Sequence, residues 1–371
     1  MTETATVLHA TSFEVGRADL RQSRVVTEEI DVAAATAAGK AVLAIDHFAL
    51  TANNITYAAF GDQMSYWNFF PAGQGFGRVP VWGFADVVAS GAAGLAVGER
   101  VYGYFPMSTH LVVEPGRLSP RRFVDVSPHR DKLPAVYNSY DRVAHDPAYT
   151  RSGESIQMIL KPLVVTSFLI ADFLEDNGFF GARQVLVSSA SSKTSLGLAF
   201  CHRRLAARDV PVLGLTSPVN GAFVEGVGYF DRVVTYDAIE SLDAAVPSVY
   251  VDMAGSADLL TRVHRHFGDN IRYSCRVGGT HWEGLARRME LPGARPTFFF
   301  APDQIAKRAA DWGPGGLDQR FAGVWTELAA SVDDWLTVED HHGPEAIKAA
   351  YHDMLEGRIS PSAGLIMSLK A

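Results

Sequence analysis

The stretch Val185–Gly197, VLVSSASSKTSLG, joins a short apolar run to a segment whose apolar residues have helical spacing. A buried strand that leads directly into a helix is the building unit of a parallel α/β sheet. The turn between the two is also where such folds bind phosphate groups, at the helix N-terminus. Here the turn carries serines and Lys193 where phosphate-binding turns usually carry glycine.

Three interpretations of this turn are open. Lys193 and Thr194 match the end of a P-loop, Gly-x4-Gly-Lys-Ser/Thr, but Val187 occupies its first glycine position and Ser192 the second, which disfavours an ATP or GTP site. A dinucleotide-binding turn requires close backbone approach to a pyrophosphate; small serines permit it, and their hydroxyls offer hydrogen bonds. The third interpretation is a polar loop with a solvated lysine. The turn alone does not separate the last two.

Composition narrows the class of protein. A chain of 371 residues is long enough for two domains. Its net charge of -8, without runs of Lys or Arg, disfavours nucleic acid and anionic membranes as partners. The two cysteines, Cys201 and Cys275, form neither a disulfide framework nor a thiolate zinc site. No signal-like N-terminus and no apolar run of about 18 residues is present, so we expect a cytoplasmic protein.

The spacing of apolar residues changes along the chain. The first 125 residues hold short β-branched runs separated by Gly, Pro and Asn, which predicts an antiparallel barrel or sandwich. Residues 126–158 are polar and Tyr-rich, which indicates a long connection. From residue 159, helical segments alternate with strand-like runs, which predicts a parallel sheet with right-handed crossovers.

Several motifs occur in one order. Residues 79–105, VPVWGFADVVASGAAGLAVGERVYGYF, resemble the run Pro…Gly-x4-Gly-x-Val…Val-Gly-Asp-Arg-Val of the medium-chain dehydrogenase/reductase superfamily, in its zinc-free quinone oxidoreductase and enoyl reductase branch. Asn53 lies at the Asn position of that family's Asn-Pro-x-Asp…Gly loop. The opening stretch aligns without gaps to the family's glycine-rich turn. The four glycine positions there are Ser189, Ser192, Lys193 and Ser195.

The resemblance implies an α/β fold of two domains. A GroES-like, β-rich catalytic domain would take residues 1–158 and 301–371, including the long connection at 126–158. A Rossmann-type, doubly wound parallel-sheet domain would take residues 159–300 and bind the dinucleotide. The resemblance also implies a homodimer.

Zinc is not expected. The zinc-dependent branch of the family supplies a metal ligand from Gly-His-Glu, and this chain has Trp82-Gly83-Phe84 there. No cysteine precedes Cys201, so the family's cysteine ligands are absent as well.

The predicted cofactor is NADPH rather than NADH. NAD-binding turns usually end the second strand with an acidic residue that holds the ribose 2′-hydroxyl, and this strand ends LGLTSPVN without one. The alternative is that Ser217 and Asn220 only form a turn. The resemblance adds Tyr236 as a phosphate contact and the later strands as the nicotinamide site. The expected cofactor-binding residues are Ser189, Ala190, Ser191, Ser192, Lys193, Thr194, Ser195, Thr216, Ser217, Asn220, Tyr236, Ala254, Gly255, Val277 and Gly278.

The segment 53–77 concentrates aromatic residues, which suit an apolar or conjugated ligand; a core cluster or a dimer contact is the alternative. Tyr66, with Tyr57 second, is the candidate proton donor, because a positioned phenol acts as a general acid. Asn53 is the candidate partner of a substrate carbonyl or of the cofactor. Tyr137 and Tyr140 are secondary candidates. The expected substrate-pocket residues are Trp67, Phe69, Phe70, Trp82, His281 and Trp282.

The sequence therefore predicts a zinc-independent, NADPH-dependent reductase. Its substrate would be a small apolar or conjugated compound, such as an enone, a quinone or an enoyl compound. Two alternatives stay open: an NADP(H)-binding sensor or interaction protein without hydride transfer, motivated by the lost glycines, and a lyase-type enzyme on the same fold.

Overall fold

The computed structural model describes residues 7–146, 149–277 and 290–370. The chain divides into two units, each described below by itself. The first unit takes the chain up to Ile159 and again from Thr337, and the second takes Leu160–Leu336.

The first unit is β-rich. A three-stranded sheet has the order β2-β1-β4, and a nine-stranded sheet has the order β17-β18-β3-β5-β6-β10-β9-β8, with β7 paired to β3. Every pairing is antiparallel except that of β17 with β18. The strands are β1 (Val7–Gly16), β2 (Ser23–Asp31), β3 (Ala41–Leu50), β4 (Phe76–Gly77), β5 (Pro80–Ser90), β6 (Arg100–Pro106), β7 (His110–Val113), β8 (Pro115–Gly116), β9 (Arg122–Asp125), β10 (Ser139–Arg142), β17 (Thr337–His342) and β18 (Ala363–Ser368).

The described part of this unit also contains the α-helices α1 (Val32–Ala37), α2 (Ala52–Ala59) and α9 (Pro344–Leu355). The apolar faces of the strands enclose a core that includes Phe13, Phe48, Trp67 and Tyr351. Trp67 packs into a space that two glycines leave open. A Cβ atom added at Gly61 or Gly77 would lie closer than 3.0 Å to its indole ring.

The segment 126–158, predicted as a connection, is only partly irregular. Ser139–Arg142 forms β10, which pairs with both β6 and β9. The side chain of Tyr140 is fully buried, with its ring centroid 5.3 Å from that of Phe105 and 5.1 Å from that of Phe123. A strand of four residues is too short to show alternation in the sequence, so the pattern missed it.

The second unit is a six-stranded sheet with the order β13-β12-β11-β14-β15-β16. All its pairings are parallel, which confirms the doubly wound sheet predicted for this part of the chain. The strands are β11 (Gln184–Val187), β12 (Val212–Thr216), β13 (Arg232–Thr235), β14 (Ser248–Asp252), β15 (Ile271–Arg276) and β16 (Pro296–Phe298). The helices are α3 (Glu154–Asp176, which begins in the first unit), α4 (Lys193–Leu205), α5 (Gly221–Val227), α6 (Ala257–Phe267), α7 (Ala301–Trp312) and α8 (Gly316–Ala329).

The domain boundary predicted at residue 301 is wrong, because residues 301–336 belong to the second unit. Arg308 of α7 donates to the carboxylate of Asp172 on α3, and Gln304 donates to it at 2.9 Å. The ring of Phe321 on α8 packs edge-on against Phe168 of α3. These long-range contacts decide the boundary, and nothing in the local spacing of apolar residues reveals them.

By length and composition alone, residues 151–176, which include α3, could cross a membrane, and 61% of the relevant window is buried inside the protein. A core helix of a globular unit passes the same test, because its apolar residues pack against other elements.

We expect Gly77→Ala to lower the free energy of unfolding of the protein by about 1–3 kcal/mol, because the new methyl group overlaps the Trp67 indole in a filled core. Differential scanning calorimetry measures the change. Gly226→Ala in α5 is the matched control, since its Cβ meets no atom within 4 Å. Equal melting temperatures for the two variants would contradict the packing around Trp67.

Candidate functional site

The turn between β11 and α4 builds a helix start from serines. Ser192 is the N-cap of α4, and its Oγ accepts a hydrogen bond from the Ser195 amide at 3.2 Å. Serine is a preferred N-cap because its hydroxyl satisfies an otherwise unpaired helix amide. The second glycine position of the family pattern is therefore taken by a residue that stabilises the helix start.

Ser189 occupies the first glycine position and keeps a glycine-like backbone. Its φ angle is 51°, in the left-handed region that favours glycine. The Ser189 amide donates to the Tyr236 hydroxyl at 3.0 Å. The turn thus retains the backbone path that the family's glycine serves, at the cost of local strain.

Ser195 lies at the last of the four glycine positions and faces β11. It is fully buried, and its hydroxyl donates to the Ser188 carbonyl at 3.0 Å. In dinucleotide-binding turns a glycine at such a position allows the helix to approach the strand closely. Here a hydrogen bond joins helix and strand directly.

The ends of β12 and β13 border the same turn. Asn220 donates from Nδ2 to the Ser191 hydroxyl at 3.1 Å, and the Ala190 amide donates to the Leu215 carbonyl at 3.0 Å. Thr216, the last residue of β12, is buried, and Ser217 follows it. No carboxylate ends this strand, so nothing at this point repels a phosphate.

Lys193 is the first residue of α4. Burial lowers the pKa of its ammonium group to about 8. A cation at a helix N-terminus is unfavourable because the helix dipole is positive there. An anionic ligand bound at the same N-terminus would offset this unfavourable interaction. The neighbouring Thr194 contributes main chain: its carbonyl accepts from the Ser167 hydroxyl at 2.7 Å.

The next strand end, that of β14, adds Asp252, which the sequence analysis did not select. The Ser188 hydroxyl donates to its carboxylate at 3.1 Å, and the Gly255 amide donates to the same oxygen at 3.0 Å. Burial raises the pKa of this carboxyl group. The predicted residues Ala254 and Val277 join the same edge, since the Ala254 amide donates to Ser188 Oγ and the Val277 amide to the Asp252 carbonyl.

Three predicted residues, Gly278, His281 and Trp282, lie outside the described part of the chain. The other predicted cofactor-binding residues belong to segments at the carboxyl edge of the parallel sheet, where open α/β sheets bind ligands.

The first unit gathers a tyrosine cluster, formed by Tyr57, Tyr66, Tyr104 and Tyr137. The ring centroids of Tyr57 and Tyr66 are 4.6 Å apart, and those of Tyr104 and Tyr137 are 4.7 Å apart. Tyr104 joins the two pairs, with its centroid 5.6 Å from that of Tyr57. Three of the predicted pocket residues, Phe69, Phe70 and Trp82, pack around these rings.

The phenol groups of this cluster influence one another. Tyr137 lies close enough to Tyr57 and Tyr66 to affect their pKa values, and Asn53 lowers that of Tyr57. Burial raises the pKa of all three phenols above the ordinary tyrosine value. The hydroxyls therefore stay protonated and act as hydrogen-bond donors throughout the neutral range.

Asn53 and Tyr57 lie on helix α2, whereas the resemblance placed Asn53 in a loop. A capping box starts the helix: the Thr51 amide donates to Asn54 Oδ1 at 2.6 Å, and Asn54 Nδ2 donates to the Pro80 carbonyl. Because residues four apart share a helix face, Asn53 and Tyr57 lie on the same face of α2.

Trp67, predicted in the pocket, is instead a core residue packed between Gly61 and Gly77. Tyr104 was not among the predicted residues, although the sequence carries a signal for it. Trp82 is directly opposite Tyr104, and Phe84 directly opposite Tyr102, on neighbouring strands. The period-2 aromatic pattern of both strands indicates one shared aromatic face.

Comparison with solved structures confirms the predicted fold. The chain is similar to CurA from Vibrio vulnificus in complex with NADPH, with a TM-score of 0.63, 14% identity, and coverage of 97% of this chain and 99% of that one. Staphylococcus aureus TarJ in complex with NADPH gives a TM-score of 0.58 at 9% identity, again covering 97% and 99%. The CurK enoyl reductase gives 0.54 at 13% identity, with the same coverage.

These likenesses, all below 25% identity, show the fold: a GroES-like, β-rich unit and a Rossmann-like unit. The chain belongs to the family described as "Protein of unknown function (DUF2855)", whose model matches residues 48–360. No curated protein sequence matches the chain.

We expect Ser189→Gly to be more stable than Ser189→Ala by about 1 kcal/mol, because only glycine adopts the left-handed φ of this position without strain. Urea unfolding of both variants measures the difference. This order is the reverse of the usual one, in which glycine destabilises through its chain entropy. If alanine proves the more stable substitution, the strained turn is contradicted.

Proposed function

We propose that this protein is a zinc-independent, NADPH-dependent oxidoreductase that reduces an activated alkene or carbonyl compound. The observation that carries the proposal is the serine-built turn of the second unit. It combines a capped helix start, the half-buried Lys193, and a β12 end without a carboxylate. The NADPH complexes of CurA and TarJ, which share this fold, support the same cofactor.

The residues of the turn fit a dinucleotide. The Ser191 hydroxyl and the N-terminus of α4 would receive the pyrophosphate, while the Ser192 hydroxyl keeps its two bonds to Ser195. Lys193 would supply a positive charge, and Tyr236 with Asn220 would border the 2′-phosphate. When bound, the cofactor supplies a hydride.

The tyrosine cluster supports the second half of the proposal. Hydride addition to an enone, quinone or enoyl compound leaves negative charge on the substrate oxygen. A protonated phenol stabilises that charge by donating a hydrogen bond, and fixed donors in a water-poor site do this best. Tyr66 is our first candidate for this role and Tyr57 our second. The zinc-dependent branch of the medium-chain dehydrogenases has a metal ligand where this chain has Trp82-Gly83-Phe84, and Phe84 is fully buried. In this proposal the phenols, rather than a metal ion, act as the electrophile.

Stopped-flow measurement of NADPH oxidation against an enone, a quinone and an enoyl thioester tests the proposal. Turnover of one class identifies the substrate. Binding of NADPH in isothermal titration calorimetry without any turnover would favour the sensor alternative. Absence of binding would overturn both.

NADPH affinity should fall about tenfold between pH 7 and pH 9.5, as expected for losing one charge-assisted hydrogen bond. The affinity falls as the pH rises because of Lys193. Its lowered pKa of about 8 means that the ammonium is charged below pH 8 and neutral above it. Titration calorimetry across this range measures the effect.

Lys193→Gly and Lys193→Gln should weaken binding at pH 7, leave the fold intact and flatten the pH profile. Lys348→Gln, at an exposed lysine of the first unit, is the matched control and should bind as the unsubstituted protein does. If the Lys193 variants keep full affinity, the lysine does not contact the cofactor.

Tyr66→Phe should lower kcat by about 10²–10³, the usual loss for one oxyanion donor, with little change in NADPH affinity. Because burial raises the pKa of Tyr66 above 10, the rate should show no loss from phenol ionisation up to pH 10. Tyr351→Phe is the control: it removes an equally large phenol that donates to the Leu20 carbonyl, outside the tyrosine cluster. Equal losses in both variants would argue against a catalytic donor.

A further inference from the structure

Strand β2 (Ser23–Asp31) forms an open edge of the three-stranded sheet in the first unit. The sheet has the order β2-β1-β4, so β2 is paired on one side. Six of its nine residues are exposed and none is buried. An uncovered edge strand of this length offers a row of amides and carbonyls to which another strand can pair.

Main-chain hydrogen bonds show which residues of β2 face outwards. The Gly16 amide donates to the Gln22 carbonyl at 2.9 Å, and bonded pairs alternate with non-bonded pairs along an antiparallel ladder. The even-numbered residues of β2 therefore bond to β1, and the odd-numbered ones face outwards. Among the residues that the structure describes, none bonds the main chain of the central outward residues, which are Val25, Thr27 and Glu29.

The sequence of β2 is complementary to itself. If a two-fold axis passes through Val26, antiparallel pairing places this valine opposite its own copy. Val25 then faces Thr27 of the second copy, so two β-branched side chains of similar shape meet. Arg24 faces Glu28 of the second copy, and the symmetry repeats this pair of opposite charges on the other side of the axis. Cross-strand pairs of both kinds stabilise a sheet.

Neighbouring registers lack this match. An axis through Val25 would place Arg24 opposite Val26, and an axis through Thr27 would place Val26 opposite Glu28. An axis through Glu28 would place two like charges opposite each other, which destabilises a sheet. The axis at Val26 is thus favoured by charge and by shape together.

The charged residues keep capacity for a second partner. Arg24 donates to Glu14 at 2.7 Å and 3.0 Å, and a guanidinium has five N–H donors. Glu28 accepts from Arg78 at 2.7 Å, and a carboxylate has about four lone-pair sites. The side chain of Arg24 is 40% exposed and that of Glu28 is 57% exposed. Their existing bonds hold both groups in place, which lowers the entropy lost when a second strand arrives.

We propose that β2 pairs with β2 of a second copy of this chain, antiparallel about a two-fold axis at Val26, so that the two three-stranded sheets become one. The family resemblance implies a homodimer but not the surface that forms it. The contact is independent of the proposed hydride transfer. Two paired strands bury less surface than a standard interface, so we expect a dimer that forms in a concentration-dependent way.

Analytical ultracentrifugation of the full chain, in a concentration series up to about 100 µM, measures the assembly. We expect the mass to rise from one chain to two. Thr27→Pro should keep the chain monomeric, because it removes an outward amide that the β2 pairing needs and no bond within the monomer. A monomer at every concentration in the unsubstituted chain, or an unchanged dimer in Thr27→Pro, would overturn the proposal.

Val338→Pro is the matched control, on a different edge strand. The Thr337 amide donates to the Ser362 carbonyl, so the neighbouring Val338 amide faces away from β18. This variant should dimerise as the unsubstituted chain does. If it lost the dimer as Thr27→Pro does, the effect would not be specific to β2 and the proposal would be rejected. Circular dichroism confirms that both variants fold.

Disulfide trapping tests the register without proline. Val26→Cys should give a covalent dimer on mild oxidation, because Cα atoms of a non-bonded antiparallel pair lie about 4.5 Å apart, which a disulfide can bridge. The native cysteines, Cys201 and Cys275, are buried. Glu29→Cys is the control, since it faces Ser23 and lies about 20 Å along the strand from its own copy. If Val26→Cys stays monomeric, or Glu29→Cys cross-links equally well, the pairing about Val26 is wrong.

Discussion

The hydrogen bond from the Ser195 hydroxyl to the Ser188 carbonyl holds the start of α4 against the end of β11. Strand β11 lies between β12 and β14, so its end fixes where the edges of both neighbours lie. Ser188 then uses its own hydroxyl to bond Asp252 on β14. The turn that begins at this junction also bonds Tyr236, Leu215 and Asn220, so the junction anchors the candidate nucleotide site.

Local pattern predicted the second unit well. Parallel strands buried on both faces give short apolar runs, and helices between them give the 3.6-residue period. Spacing alone therefore predicted the alternation that β11 to β15 and the helices between them form. The serine turn was also located correctly, since an N-cap serine and a strand end are local features. The left-handed backbone of Ser189 was not predicted, because the sequence shows only that a serine replaces the expected glycine and does not show which backbone angles it adopts.

The parts that sequence did not predict depend on distant contacts. Residues 301–336 joined the second unit through the bonds of Arg308 and Gln304 to Asp172, which is more than a hundred residues away. Tyr104 entered the tyrosine cluster through cross-strand pairing, and a bulge turned Asp46 beside His47. Periodicity describes one segment at a time, so pairing register and bulges escape it.

Two polar clusters of the first unit handle protons in opposite ways. Arg100 stands beside Glu154 and, although burial alone would raise the pKa of this carboxyl, brings it down to about 2, so the carboxylate stays ionised. The tyrosines have no such ion pair, and burial keeps their protons in place. A phenol with a raised pKa is a weak acid, but it keeps its proton and so remains a hydrogen-bond donor. In the proposed reaction, the tyrosine cluster is therefore better suited to stabilising an oxyanion by hydrogen bonding than to full proton transfer, and the reduced carbon of an alkene substrate would take its proton from water.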